Sequence, residues 1–233
     1  PHSYFVNDHK QSARYIFEKP LPTRKLYGVP DDKFVFCNFN QIYKIDPLTF
    51  DVWMKILHQV PNSILWLLRF PQTGENNIRA EAKLRGITED QLHFTNVAPK
   101  PEHIKRGLLA DMFLDTLSCN AHTTGCDILW SGTPMLTMPG EKMAARVGSS
   151  LLRAVNLPEM VAESLEDYLN IAVSYGSNRE KMKKLRKKLE CERHTAPLFD
   201  TKRWVKSYEI GLEKMYEEYK NGRPPKDMDA PDI

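Results

Sequence analysis

The sequence has few cysteines, and their spacing is not typical of a metal site. Cys37, Cys119, Cys126 and Cys191 are the only four in 233 residues. None belongs to a C-x-x-C pair or to a Cys/His pattern of the zinc-binding kind. We interpret them as reduced thiols of an intracellular protein, and we expect no bound metal.

Long apolar runs and a strong charge imbalance are also missing. No stretch approaches the roughly 20 residues that span a bilayer, and no signal-like apolar segment opens the chain, so we expect no stable membrane association. The formal net charge is +3, with acidic and basic residues interspersed, which gives no reason to expect a nucleic-acid partner. With 41% hydrophobic residues, the composition is that of a globular protein long enough to bury a core.

Two glycine-rich phosphate motifs are absent as well. The sequence has no G-x-G-x-x-G after the first apolar run and no G-x-x-x-x-G-K-[ST] anywhere. Neither a dinucleotide fingerprint nor a P-loop is therefore supported. A phosphate site in this protein would have to use side chains and a helix N-terminus instead.

From residue 33 onward, short apolar runs alternate with helical patterns. The runs, nearly continuous in hydrophobicity, lie at 34–39, 63–70, 92–97, 112–116 and 134–139. Helical patterns lie at 47–60, 76–85, 101–110, 124–131 and 141–154. Unbroken hydrophobicity predicts strands covered on both faces. The alternation predicts an α/β fold with a doubly wound, mostly parallel sheet.

The two ends of the chain differ from this centre. A strand-like Tyr4–Val6 is followed by a linker rich in prolines and charges. Residues beyond Pro158 read as helical, and the basic run 181–188 fits a solvated helix face better than a phosphoinositide or nucleic-acid patch.

One late helix carries an apolar stripe, made of Trp204, Tyr208, Leu212, Met215 and Tyr219. The stripe predicts docking on the sheet or on a neighbouring domain, with a partner-binding helix as the alternative. The tail, 222–233, is expected to be unstructured.

A run of small polar residues, CNAHTTG, precedes the helical pattern at 124–131. Thr124, with Asp127 three residues later, predicts a capping box at the start of that helix. The same N-terminus, beside two threonine hydroxyls and His122, also offers unpaired N–H groups to an anion such as a diphosphate. The two interpretations are compatible.

Donors from three segments are predicted to meet at the carboxyl edge of the sheet. Gln41 and Lys44 follow the first strand and could donate to phosphate oxygens. After the third strand, the His103 imidazole could stack on a base, Lys100 could reach a ribose, and the Ala98 backbone could pair with a base edge. Residues 122–124 supply the third set of donors. Acidic metal ligands are scarce there, so the composition suits a nucleoside diphosphate bound without a divalent cation.

Taken singly, these residues have plainer interpretations. Lys44 could be a surface lysine and His103 a partly exposed helix residue. Asp127 could serve the cap or a ribose hydroxyl. Cys119 and Cys126 lack a neighbouring pattern that would make either a nucleophile.

Several segments together resemble the intracellular protein O-GlcNAc transferases. They are FCNFNQIYKIDP, NSILWLLRFP, VAPKPEHIKRG, LADMFLDT, CNAHTTGCDILWSGTPMLTMPGEKMAARV and PLFDTKRW. They match, in unbroken order from about residue 30 to 220, the carboxyl-terminal lobe of that family's two-lobed GT-B catalytic region, which is Rossmann-like. The resemblance implies an inverting transfer of N-acetylglucosamine from UDP-GlcNAc to serine or threonine hydroxyls of proteins in the cytoplasm and nucleus. It implies no metal or other cofactor.

The resemblance also implies roles for individual residues. Those that would hold the diphosphate are Gln41, Lys44 and Thr124, with His122 and Thr123 beside them. Those that would hold the uracil and ribose are Ala98, Lys100, His103 and Asp127. Cys119 and Ala121 would lie near the sugar, although the family usually has glycine at the latter position. Lys44 would also stabilise charge that develops on the UDP leaving group.

The resemblance implies a domain organisation too. Residues 1–30 would be the end of an amino-terminal lobe plus a linker, with PHSYFVNDHK resembling its closing strand. Residues 31–195 would be the UDP-sugar-binding lobe, 196–221 a crossing helix and 222–233 a tail. The expected partners are protein acceptors, the amino-terminal lobe and tetratricopeptide repeats. The chain would be inactive without that lobe. The alternative is a non-catalytic UDP-binding or partner-docking module.

Overall fold

A single parallel sheet organises the protein. The structure, a computed structural model, describes residues 2–231 and 233. Within them the strands are β1 (Phe34–Asn38), β2 (Ser63–Leu68), β3 (Leu92–Thr95), β4 (Met112–Leu114) and β5 (Met135–Leu136). Their order is β3-β2-β1-β4-β5, and every neighbouring pair is parallel. The predicted α/β class and parallel sheet are confirmed.

Burial along the strands explains the unbroken apolar runs. Every residue of β1, β2 and β4 is buried, whereas the edge strand β3 alternates between buried and half-buried residues. Phe36 pairs with Leu65 on one side and with Met112 on the other. The chain order reverses between β1 and β4, and such a reversal opens a crevice beyond the carboxyl ends of the two strands.

Helices pack around the sheet, and the last of them is exposed along most of its length. They are α1 (His9–Ser12), α2 (Pro47–Gln59), α3 (Gly74–Leu84), α4 (Lys100–Gly107), α5 (Thr123–Ser131), α6 (Val147–Ala154), α7 (Leu165–Gly176), α8 (Arg179–Glu192) and α9 (Thr201–Lys220). α2 begins where the Asp46 carboxylate accepts a hydrogen bond from Thr49 N at 2.8 Å. α2 packs against α7, and α4 packs against α5. At Gly107 the α4–α5 approach is so close that a Cβ would lie 2.6 Å from Ser131 Oγ.

The helix predicted from residue 141 starts later. Met143–Ala145 form a 3-10 turn, and α6 begins only at Val147. The Ala144 carbonyl accepts a hydrogen bond from Asn120 N at 2.9 Å. That carbonyl serves the loop after β4 rather than a continuous helix.

The amino-terminal segment contains no strand at the predicted place and packs on the core. Residues 2–8 contain no strand; instead the Ser3 carbonyl accepts from Trp204 Nε1 at 3.0 Å. Ala13 and Ile16 belong to the core, and Trp130 Nε1 donates to the Ala13 carbonyl at 2.9 Å. Tertiary contacts therefore hold a segment for which the sequence predicted a strand and then a linker. The domain boundaries stay predictions.

The prediction that the α9 stripe docks on the sheet is wrong. Ser207 is the one residue of α9 that is buried. Four of the five stripe residues are exposed by between 44 and 78%: Tyr208, Leu212, Met215 and Tyr219. Because the central strands are already buried on both faces, the sheet offers this stripe no apolar surface. Docking on a neighbouring domain or on a partner stays a prediction.

The basic run in α8 divides into two kinds of residue. Lys183 and Lys188 are exposed and pair with Glu180 and Glu159, as a solvated face should. Arg186 instead turns inward and donates to the carbonyls of residues 108 and 110 at 3.0 and 2.9 Å. Among the described residues, no helix is both long enough and apolar enough to cross a membrane.

Candidate functional site

A groove of 410 Å³ lies beyond the carboxyl ends of the strands, where the loops after β1, β2, β3 and β4 meet. Its volume is in the range of small-ligand sites. The predicted site residues that line it are Gln41, Lys44, Ala98, Lys100, His103, His122, Thr123 and Thr124. The sheet thus brings together three segments that are dozens of residues apart in sequence.

Lys44 joins the loops that follow β1 and β4, the two strands between which the chain order reverses. It ends a 3-10 turn, Ile42–Lys44, which is tied to the loop after β2 by a hydrogen bond from Ile42 N to the Phe70 carbonyl at 3.0 Å. Its Nζ donates to the Asn120 carbonyl, in the loop after β4, at 2.8 Å. The ammonium group is therefore held at the groove rather than free in solvent.

The N-terminus of α5 has no side-chain cap, and the predicted capping box is wrong. The helix begins at Thr123 and not at Thr124. His122 occupies the cap position with φ −101° and ψ −94°, and within the described part of the chain no side-chain cap hydrogen bond is formed. The first intrahelical bond runs from Cys126 N to the His122 carbonyl at 3.2 Å. The N–H groups before it are without intrahelical partners, as an anion site requires.

Asp127 has a different partner from the predicted one. Its Oδ1 lies 2.6 Å from His9 Nε2, and its Oδ2 lies 3.9 Å from His103 Nε2. The side chain is 7% exposed and does not line the groove. The predicted local cap is replaced by a contact with His9, which is 118 positions away in the sequence. This contact leaves the Asp127 carboxylate beside His103. Its predicted approach to a ribose stays a prediction.

The His103 imidazole is held neutral. Burial, followed by the charge of Arg106, lowers its pKa to about 4. Arg106 Nη2 donates to His103 Nδ1 at 2.9 Å, so the ring hydrogen resides on Nε2, which faces Asp127. The edge of Phe39 packs on the ring, with centroids 5.8 Å apart. A neutral, oriented imidazole suits stacking on a base.

Sequence reasoning missed Arg106, which is 1% exposed. Besides contacting His103, it donates to the Asn96 carbonyl at 2.8 Å and lies 5.0 Å over the Phe39 ring. Its position three residues after His103, on the same helix face, was the available signal.

We expect Arg106→Met to raise the pKa of His103 above about 4. The methionine keeps apolar packing against Phe39 but removes both the positive charge and the donor to Nδ1. Burial still holds the pKa below its ordinary 6.5. An NMR titration of the His103 ring carbons, with Lys105→Met as the matched control, measures the shift. An unchanged pKa would mean that burial alone sets it.

The two residues predicted near the sugar do not line the groove. Ala121 is fully buried, and its methyl group faces Gly125, whose added Cβ would lie 3.5 Å away. Its φ is not positive, so alanine causes no backbone strain where the family usually has glycine. Cys119 is half-buried, and its carbonyl accepts from Thr116 Oγ1 at 2.6 Å. Burial raises the pKa of the Cys126 thiol far above its ordinary value, which leaves that thiol protonated.

Asp115 is a second residue that sequence reasoning missed. Its Oδ1 accepts from Thr116 N at 2.9 Å and from Ala121 N at 2.7 Å, and its Oδ2 accepts from Thr137 Oγ1 at 2.7 Å. Burial is complete and raises its pKa to about 7, against these hydrogen bonds and the charge of Lys44. The sequence did carry a signal for Asp115, because an aspartate within a run predicted to be a buried strand needs hydrogen-bond partners. Asp115 fixes the loop that Lys44 contacts.

Comparisons with known proteins bear on the whole chain. A family model described as glycosyl transferase family 41 matches residues 7–208. A probable UDP-N-acetylglucosamine–peptide N-acetylglucosaminyltransferase of Arabidopsis thaliana is 50% identical over 227 residues, which is 97% of this chain and 23% of the relative. A UDP-N-acetylglucosamine–peptide N-acetylglucosaminyltransferase of Caenorhabditis elegans is 50% identical over 204 residues, 88% of this chain and 18% of the relative. This chain thus spans about a fifth of the length of these curated relatives.

A solved structure supports the fold assignment. A mutant O-GlcNAc transferase of Thermobaculum terrenum superposes with a TM-score of 0.75 at 28% identity, over 85% of this chain and 39% of that chain. The GT-B assignment and the resemblance that carried it are confirmed.

Proposed function

We propose that this chain, which belongs to glycosyl transferase family 41, is the donor-binding half of a protein O-GlcNAc transferase. The observation that carries the proposal is the groove at the sheet reversal. There Lys44, Lys100 and the uncapped N-terminus of α5 converge, and none of the described residues that line the groove is acidic. Such a site favours a doubly charged diphosphate.

In this proposal the donor lies along the groove. Gln41, Lys44 and Thr124 hold the diphosphate, with His122 and Thr123 beside it. The uracil and ribose lie toward Ala98, Lys100 and His103, with Asp127 behind, and the sugar lies toward Cys119 and the Ala121 backbone. Support comes from the neutral, packed His103 ring and from the fixed Lys44 ammonium.

The proposed reaction inverts the sugar carbon. A serine or threonine hydroxyl of an acceptor protein attacks the anomeric carbon from the face opposite UDP, the bond from that carbon to the phosphate oxygen breaks, and a β-linked sugar results. Lys44 and the α5 N-terminus take the role of a cation in stabilising the departing diphosphate. Groups of the amino-terminal lobe take up the hydroxyl proton and help to hold the acceptor protein. The proposed location of the protein is the cytoplasm and nucleus.

A non-catalytic module is the second candidate. It is favoured by α9, whose apolar stripe is exposed, with Tyr219 at 78%. A module of this kind would bind UDP or a partner without transferring sugar.

We expect UDP to stabilise the protein against heat, and chelation of divalent cations to leave that effect unchanged. Ligand present at 100 times its Kd should add about 2.7 kcal/mol to the free energy of unfolding. Thermal melts with UDP, with and without EDTA, measure this, and uridine is the matched control that lacks the diphosphate. A UDP effect that disappears with EDTA would contradict binding without a cation.

Transfer itself separates the two candidates. Radiolabelled N-acetylglucosamine should pass from UDP-GlcNAc to a serine peptide when the amino-terminal lobe is supplied, and not without it. UDP binding combined with no transfer in either case would favour the non-catalytic module.

A further inference from the structure

We propose that His9 is a positioning residue of the nucleotide site. Its imidazole holds the Asp127 carboxylate in an orientation that leaves the second oxygen for a ribose hydroxyl. This inference rests on the proposed function, because it takes Asp127 as the acceptor for the ribose.

The contact between His9 and Asp127 is short and shielded from water. His9 Nε2 lies 2.6 Å from Asp127 Oδ1, and the two side chains are 4% and 7% exposed. A carboxylate buried without a donor is strongly disfavoured, whereas a charge-assisted hydrogen bond of this length is among the stronger ones in proteins. His9 therefore provides what the predicted helix cap would have provided.

Asn7 fixes the direction of the His9 ring. Asn7 Nδ2 donates to the Leu198 carbonyl at 2.8 Å, so Asn7 Oδ1 is left as an acceptor. His9 Nδ1 lies 3.2 Å from that oxygen. With the Nδ1 edge of the ring beside Asn7, Nε2 faces the Asp127 carboxylate.

Packing from the other end of the chain supports the same segment. The Phe199 ring packs on the His9 ring with centroids 5.9 Å apart and an interplanar angle of 66°. Thr201 Oγ1 donates to the Asn7 carbonyl at 2.6 Å. A ligand-contacting group that is held by a packed and hydrogen-bonded neighbour is pre-organised for binding.

The contact with His9 determines where the second carboxylate oxygen of Asp127, Oδ2, lies. Asp127 Oδ2 is 3.9 Å from His103 Nε2, beyond hydrogen-bond distance, and His103 lines the groove. The terminal torsion of an aspartate is broad, so without His9 the carboxylate is free to rotate toward His103. With His9 in place, Oδ2 lies on the side of His103, 3.9 Å from its Nε2, and is the oxygen that the proposal leaves for the ribose.

The test compares UDP with 2′-deoxy-UDP and 3′-deoxy-UDP by calorimetric titration of the intact protein. We expect His9→Leu to weaken UDP binding about tenfold, the loss that corresponds to one charge-assisted hydrogen bond. At least one of the two deoxy analogues lacks the hydroxyl that would donate to Asp127. His9→Leu should weaken the binding of that analogue by less than about threefold. His9→Gln, whose amide can donate from the same place, should restore most of the UDP affinity.

Controls separate positioning from stability. His93→Leu removes a comparable contact, from His93 Nε2 to the Tyr27 carbonyl at 2.8 Å, and should bind all three nucleotides as the wild type does. Asn7→Ala keeps the imidazole of His9 but removes the contact that orients its ring. It should weaken UDP binding by a smaller factor than His9→Leu does, and the loss should again depend on the ribose hydroxyl. This variant keeps the test decisive if His9→Leu does not fold.

The failures are distinguishable. A wild-type protein that does not bind UDP overturns the proposed function and the inference with it. If Asp127→Ala weakens UDP but His9→Leu does not, only the role of His9 is overturned. An equal loss for UDP and both deoxy analogues in His9→Leu and Asn7→Ala also overturns it, because a merely structural residue would act in that way.

Discussion

Lys44→Ala should lower the turnover of the proposed transferase, assembled with its amino-terminal lobe, about 10²–10³-fold, the usual effect of removing one preorganised donor from developing negative charge. In the structure the ammonium group lies between the loops after β1 and β4, 2.8 Å from the Asn120 carbonyl. It lies in the same groove as the uncapped N-terminus of α5. Among the residues that the structure describes, no carboxylate of the groove lining competes for it.

The fold should survive this change. Lys44 is half-buried, and its loss removes one hydrogen bond from a charged group to a backbone carbonyl, worth about 1.5–3 kcal/mol. Lys55→Ala, at an exposed position on the adjacent α2, is the matched control and should retain wild-type turnover. Steady-state transfer assays and thermal melts on both variants give the answer. Wild-type turnover in Lys44→Ala would refute the role assigned to this lysine.

The sheet was predictable because its signal is local. The strands β1, β2 and β4 are buried on both faces, so each one appears in the sequence as an unbroken apolar run. The predicted strands ran too far at their carboxyl ends. After β4 the chain bends so that Asp115 and Thr116 can hold the next loop, and a bend made for hydrogen bonding leaves no mark on hydrophobicity.

The groove was predictable because parallel strands present their following loops at one edge. Gln41, Lys100 and Thr124 meet there for that topological reason. The support behind the groove was not predictable in the same way. Its bonds join residues far apart in sequence, as His9 and Asp127 are, and a T-x-x-D spacing gave a local explanation for Asp127 that the fold does not use.

The burial of two arginines was also not predicted from the sequence. Arg186 lies in a basic run for which a solvated helix face was predicted, and Arg106 drew no prediction. Yet Arg106 is 1% exposed, and Arg186 donates to the Leu108 and Ala110 carbonyls. A guanidinium can be buried when carbonyl groups receive its donors. Which carbonyls end up in reach depends on loop geometry that periodicity does not encode.

Asp115→Ala should cost about 3–5 kcal/mol of stability, the range for breaking a buried hydrogen-bond network. The change leaves the N–H groups of Thr116 and Ala121 and the Thr137 hydroxyl without their acceptor, and all three residues are fully buried. α6 packs directly behind the carboxylate, since a Cβ added at Gly148 would lie 2.5 Å from Asp115 Oδ2. Chemical denaturation at a fixed pH measures the loss.

Asp115→Asn is the informative companion, because it should keep the network and remove only the charge. The amide oxygen can accept from both N–H groups, and the amide nitrogen can donate to Thr137 Oγ1. In the wild type the pKa of Asp115 is raised from 3.8 to about 7. The native state therefore binds a proton that the unfolded chain has released, and stability from this group is lost as the pH rises through that window.

The two pKa values differ by about 3, so the wild type should lose on the order of 4 kcal/mol relative to Asp115→Asn between pH 4 and pH 8. His103, whose pKa is lowered to about 4, gives a slope of the opposite sign in part of the same range. For that reason the difference between the two proteins, and not either curve alone, isolates Asp115. Denaturation curves at several pH values test this. Parallel curves for the wild type and Asp115→Asn would mean that the buried carboxyl is ionised throughout, with Lys44 and the loop N–H groups outweighing the effect of burial.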